Sequence, residues 1–176
     1  MNPLISILIL LLMSNCNKDK IWKDDELSID RKEYTGNILR VDGYYYDTFN
    51  SSYLSLYCFY RNGILLAAGG VFSSIQEMDD YINKEFINSQ KYKEYKSNWG
   101  VFKTEGNSIQ FERWYPSEPL LKAYIRAGHI LNDTTFVITE SYRMKKGKKT
   151  EVDSESETYH FRQFSPKPDS TNSFIK

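Results

Sequence analysis

Two periods of hydrophobicity divide this chain, and each predicts its own kind of element. Alternation with period two marks a strand with one buried face. It runs through Leu54, Leu56 and Cys58, and again where Ile109 and Phe111 alternate with Gln110 and Glu112. With the neighbouring Tyr, Phe and β-branched residues it predicts strands over 38–47, 53–61, 99–104, 108–115, 122–131, 134–144 and 158–164. The run Ile64–Phe72 is apolar nearly throughout, which predicts a strand covered on both sides. Asn62-Gly63 between two such runs predicts a type I′ hairpin turn. Glu105-Gly106-Asn107 and Asn132-Asp133 predict further tight turns, and Gly69-Gly70 a bulge or sharp bend. Short turns make antiparallel neighbours.

The second period is helical. Ser74-Ile75-Gln76-Glu77 fits a capping box, with Ser74 as N-cap and Glu77 reaching back. Ile75, Met78, Ile82 and Phe86 follow at helical spacing, with Asp79, Asp80, Asn83 and Lys84 between them. One amphipathic helix is expected from Ile75 to about Gln90, its apolar stripe packed on the sheet. Together the elements predict a mainly β domain over residues 37–165. Its expected architecture is an antiparallel barrel or strongly curved sheet of about eight strands, lipocalin-like, with the helix inserted after the third strand and able to close one opening. The lipocalin Gly-x-Trp signature is absent from the first strand, where Gly43-Tyr44-Tyr45 stands.

A third stretch has no period. Leu4–Met13 is an apolar run, followed by Ser14-Asn15 and Cys16. It is too short for a permanent span, which takes about twenty residues, and matches the core of a signal peptide at 1–15. Met13-Ser14-Asn15-Cys16 resembles the lipobox of bacterial lipoproteins, whose cysteine is acylated and becomes the first mature residue. Asn15 stands where a small residue is usual, and Met1-Asn2-Pro3 carries no Lys or Arg. The polar stretch 16–36 reads as lipidated cysteine and tether. The tail 166–176, with Pro166 and Pro168, reads as flexible or laid along the surface.

Composition changes the picture in two ways. Lys plus Arg and Asp plus Glu number 23 each, so no global field recruits nucleic acid. With Cys16 acylated, Cys58 has no intramolecular partner and is expected as a buried small hydrophobe; without acylation a Cys16–Cys58 disulfide becomes possible.

Candidate chemistry is sparse. There is no His-Glu-x-x-His pair, cysteine cluster, Gly-rich phosphate loop or Gly-x-Ser-x-Gly elbow, so no cofactor or metal is implied. His129 and His160 are expected as structural or solvent-facing. Glu112 and Glu140 could form a carboxylate pair if their strands neighbour each other. Tyr44, Tyr46, Trp99, Trp114, Tyr115 and Tyr124 could line a cavity or form a stacking platform for an apolar or glycan ligand; the alternative is that they fill the core. The lysine-rich tip Lys145–Lys149 could touch anionic headgroups.

Leu39-Arg40-Val41-Asp42-Gly43-Tyr44-Tyr45-Tyr46, Trp99-Gly100-Val101-Phe102 and the ending from Tyr159-His160-Phe161-Arg162 to Asn172 resemble a group of uncharacterised Bacteroidota lipoproteins. The resemblance implies a lipid-anchored protein of the bacterial envelope, held in the outer membrane on its periplasmic or surface face. It implies no activity and no site residues. The function expected is a non-enzymatic module that binds a small ligand or an envelope protein, or acts as a scaffold, with Cys16 as its palmitate-bearing anchor. The alternative is a hydrolase of envelope glycan or lipid using His129 or His160 with a nearby carboxylate.

Overall fold

The computed structural model describes residues 23–49, 53–87 and 91–176. Among them, eight strands close into an antiparallel up-and-down barrel in sequence order. They are β1 (Gly43–Phe49), β2 (Tyr53–Phe59), β3 (Ile64–Val71), β4 (Trp99–Glu105), β5 (Ser108–Ser117), β6 (Leu120–Asn132), β7 (Thr135–Lys145) and β8 (Lys148–Gln163). The barrel expectation holds, and β1 pairing with β8 removes both sheet edges. The leader, Cys16 and the first residues of the tether lie outside the described residues.

Alternation decides what lies inside. Tyr45, Tyr57, Phe59, Leu65, Phe102, Phe111, Phe136 and Tyr159 belong to one cluster drawn from the strands all round the barrel. Their rings meet one another: Phe59 lies 4.8 Å from Phe102, and Phe136 stacks on Tyr159 at 4.7 Å and 11°. The opposite parity of each strand forms the outer face. Leu54, Leu56 and Cys58 of β2 sit there with Tyr44, Trp99 and Met78. Cys58 is a free buried thiol, pushed up to about 12 by burial.

The helix lies against this outer face and does not close an opening. Helix α1 (Ile75–Tyr81) turns into a π-helical segment at Ile82–Ile87. Met78 and Ile82 pack on the outer wall, while Asp79 accepts from Tyr44 Oη at 2.9 Å and from Arg162 Nε at 2.9 Å. Those two bonds pin the helix to β1 and β8, and Ile75, expected in the stripe, is left exposed. Ser74 accepts from Glu77 N–H as a cap should. Glu77 reaches one residue further back than a capping box requires, to Ser73 N–H and Oγ.

Both termini of the domain are fastened to the barrel. The sequence reading places residues 16–36 in a tether; from Lys23 on, the chain is a strap along the outside. Asp25 N–H donates to Leu121 O, and Glu112 accepts from both Ser28 N–H and Ile29 N–H. The strap then turns in, where Tyr34 and Leu39 plug the end of the barrel beneath the aromatic cluster. The tail is laid along the surface: Tyr60 Oη donates to Pro168 O, and Lys167 Nζ donates to Val41 O and Phe59 O, each at 2.6 Å.

Turn chemistry departs from expectation at two places. At Asn62-Gly63 the positive φ belongs to Gly63 alone, closing a Tyr60–Gly63 turn with a bulge residue instead of a type I′ pair. A Cβ at Gly63 would also meet Lys32 O of the strap at 2.0 Å. The I′ geometry appears at Lys146-Gly147, where both φ values are positive. Gly69-Gly70 carries no bulge, since β2 and β3 pair in register through it. The register shifts fall instead in β6–β7 and β7–β8.

Strand β8 is far longer than the 158–164 expected. Nine of its first ten residues, Lys148–Glu157, are polar, and the tenth, Val152, is exposed, because this half of the strand borders the wet end of the barrel and needs no apolar face.

Candidate functional site

The inner parity of four strands changes character partway along. On β5 it reads Ile109, Phe111, Arg113, Tyr115; on β8, Tyr159, Glu157, Glu155, Asp153. On β1 it passes from Tyr45 to Asp47, and on β6 from Ile130 through Gly128 to Arg126 and Tyr124. The aromatic cluster therefore forms a floor, and between it and the other end of the barrel the inward positions are polar; this polar section is the chamber. Burial falls off along this path: Tyr159 and Glu157 are buried, Glu155 is half-buried and Asp153 is exposed.

Arg126 holds the centre. It forms ion pairs with Glu157 and, at 3.7 Å, with Glu155; Tyr159 Oη donates to Glu157 at 2.8 Å. Asp47 is 5% exposed, and burial, joined by the nearby Glu157 charge, pushes its carboxyl up to about 6. Arg113 is cross-strand from Tyr124 and diagonal to Arg126. Its guanidinium lies 3.8 Å from the centre of the Tyr115 ring, and its Nη1 donates to two neutral carbonyls, Ser97 O at 2.9 Å and Trp114 O at 3.4 Å. The chain reaches Arg113 this way because β3 and β4 pair over just three residues, Ile64–Leu66 against Trp99–Val101. The Lys96–Asn98 turn lies beside the resulting notch.

The chamber leaves donors unanswered. Among the described residues, Arg113 Nε, Arg126 Nε, Arg126 Nη2 and Tyr115 Oη are buried atoms without a hydrogen-bond partner. Arg126 Nη2 meets Glu157 at an angle that serves the ion pair and closes no hydrogen bond. Burial alone would raise the Tyr115 phenol, but the Arg113 and Arg126 charges outweigh it and hold it below its ordinary value. Tyr57, fully enclosed beside Tyr115 and Arg113, goes the other way and is pushed up to about 12, chiefly by burial. Buried polar atoms of this kind are rare, because each costs about 1–3 kcal/mol when left unpaired.

Arg143 marks the rim. It is nearly buried and bound by Asp25 of the strap and Glu151 of β8, each at 2.5 Å. Tyr124 Oη donates to Glu151 at 2.6 Å. The strap thus starts at this end of the barrel, with Asp24 accepting from Leu121 N–H and Asp25 from Ala123 N–H.

The aromatic residues named from the sequence divide between the two faces of the sheet. Tyr44, Trp99 and Trp114 are buried on the outer face, under the helix, the tail and the strap. Trp99 Nε1 donates to Lys93 O, and Trp114 Nε1 to Asp25 O. Tyr46 stands half-buried outside, beside His160. Tyr124 and Tyr115, 5.6 Å apart edge to face, are the pair that reaches the chamber. His129 and His160 are exposed on the outer face. Glu112 and Glu140 lie on strands separated by β6; the strap occupies the first and Lys149 the second. Parity could have found the missing residues: continuing Ile109, Phe111 by two places gives Arg113 and Tyr115.

Two surface grooves flank the strap, of about 660 and 730 Å³. They lie outside the barrel and are lined largely by the strap itself. No group of three or more His, Cys, Asp or Glu among the described residues could hold a metal ion, and no helix among them is long and apolar enough to cross a membrane. Comparison with family models, curated proteins and solved structures finds no match.

Proposed function

We propose that this chain is a lipid-anchored envelope protein, tethered through Cys16, whose barrel binds a small ligand non-enzymatically at its polar end. The observation that carries this reading is the two-part interior. A filled aromatic floor gives rigidity, while the chamber above it holds buried, unanswered donors and opens gradually to solvent. A scaffold alone has no use for such donors, which lower stability without serving contact outside the barrel.

The strap adds an orientation. It starts at the chamber end, where Asp24 and Asp25 bind β6. The segment from Cys16 to Lys23 reaches at most about 25 Å when extended, so acylation at Cys16 would hold the chamber close to the bilayer. Two or more acyl chains make such anchoring stable, at about 0.8 kcal/mol per buried CH₂. The lysine tip belongs to the β7–β8 hairpin at this same end, where its charges would meet the headgroups. The hydrolase alternative draws on His129 or His160, and both imidazoles stand exposed on the outer face.

Metabolic labelling with a palmitate analogue, followed by native mass spectrometry of the protein extracted from its membrane, tests both halves. Label lost in Cys16→Ser and a small-molecule adduct on the wild type are expected. Absence of label overturns the anchor. A labelled protein of bare mass speaks for scaffolding.

A further inference from the structure

We propose that Arg113, Arg126 and Tyr115 form the recognition point for one oxyanion, the carboxylate or phosphate of the ligand. This deepens the binding reading and rests on it.

Three independent features converge. The first is placement: all three side chains share the inner face of β5–β6, at the boundary where the aromatic floor ends. The second is charge. Arg126 is answered by Glu157 and Glu155, and Arg143 by Asp25 and Glu151. Arg113 has no carboxylate partner among the described residues; what it meets is two neutral carbonyls, the face of the Tyr115 ring and the Tyr57 and Tyr115 phenols. A guanidinium enclosed in this way carries a charge whose natural complement is an oxyanion. The third is hydrogen bonding. Arg113 Nε, Arg126 Nε and Tyr115 Oη are all donors, all buried and all unpartnered. One group able to accept from several donors at once answers them together, and carboxylate and phosphate oxygens do so.

The chamber acids set the specificity. Asp47, Glu155 and Glu157 surround Arg126 from β1 and β8, so a second negative charge on the ligand would be repelled. A single negative charge at the ligand's head is therefore preferred. The same two arginine charges hold the Tyr115 phenol below its ordinary value. An oxyanion held between those arginines offsets their charge, so binding raises the phenol's titration midpoint.

The test uses isothermal titration of the full chain with three probes: inorganic phosphate, octanoate and uncharged octanol. Tyr115→Phe keeps the ring beside Arg113 and removes the donor; Arg113→Gln removes the charge, with circular dichroism reporting whether it folds. Octanoate is expected to bind, octanol to bind far more weakly, and Tyr115→Phe to weaken octanoate by about tenfold, the effect of one hydrogen bond to a charged group. Phosphate binding with the same Arg113 dependence assigns a free anion, and octanoate binding without phosphate an amphiphile's head. Ultraviolet titration of the phenols should show one midpoint rising with octanoate and missing in Tyr115→Phe. Octanol binding as well as octanoate, or octanoate indifferent to Tyr115→Phe, overturns the anion assignment while leaving a binding barrel. Silence from all three probes overturns the assignment, and a bare native mass of the extracted protein then removes the binding reading as well.

Discussion

The two halves of the barrel interior are built on the same strands with the same alternation, yet they obey opposite rules. In the floor, eleven-degree stacking of Phe136 on Tyr159 and the tilted rings around Phe59 leave no polar atom exposed to its neighbours except the Tyr hydroxyls. In the chamber, Arg113 and Arg126 share the inward positions with Asp47, Glu155 and Glu157, and several donors go unanswered. A closed barrel fixes where a side chain points without fixing what it is. The floor spends that freedom on stability and the chamber forgoes stability, which is the pattern of a site.

Breaking the floor should have the largest effect. Phe59→Ala removes a ring in contact with Tyr45, Phe102, Phe111 and Phe136. It should cost about 3–5 kcal/mol in urea denaturation, the range for truncating a buried aromatic.

The strap comes next. Glu112 is 1% exposed, and although burial raises its carboxyl, it accepts two consecutive backbone N–H groups and the Ser28 hydroxyl. Glu112→Ala leaves those donors unpaired and should cost about 1–3 kcal/mol. Hydrogen exchange should quicken at Ser28 and Ile29 while the floor amides stay protected.

A chamber acid should behave in the opposite sense. The folded Asp47 carboxyl titrates near 6, above its unfolded 3.8. The folded state therefore holds a proton that the unfolded chain releases, so its contribution to stability falls as pH rises from about 4 to 6 and levels off above. Asp47→Asn should flatten that slope and stabilise the protein at pH 7 by roughly 1–2 kcal/mol, read from urea midpoints across pH. The smallest effect belongs to Tyr115→Phe, which removes an unpaired buried hydroxyl and should stabilise the protein by about 1 kcal/mol, the lower end of the cost of such a group.

These differences also explain what the sequence makes legible. Strand parity in Leu54–Phe59 and Ile109–Phe111 and the cap at Ser74 are local rules, as is the tight turn expected at Asn132-Asp133, which falls one residue later at Asp133-Thr134; the barrel follows from them. The first ten residues of β8 escape because a strand beside water needs no hydrophobic face. The packing of Trp99 and Trp114 escapes for another reason: a strap and a tail, both polar in composition, cover the outer wall and turn it into a second core. Arg113 and Arg126 read as ordinary surface residues until closure of the sheet turns their face inward.

The contrast between floor and chamber is tested most directly by mapping amide chemical shifts in the folded domain as octanoate is added. Perturbations are predicted at Asp47, Arg113, Tyr115, Arg126 and Glu157, with the amides of Phe59 and Phe136 in the floor unmoved. Shifts confined to the strap grooves around Ser28–Gly36, or spread evenly through floor and chamber alike, would contradict the account.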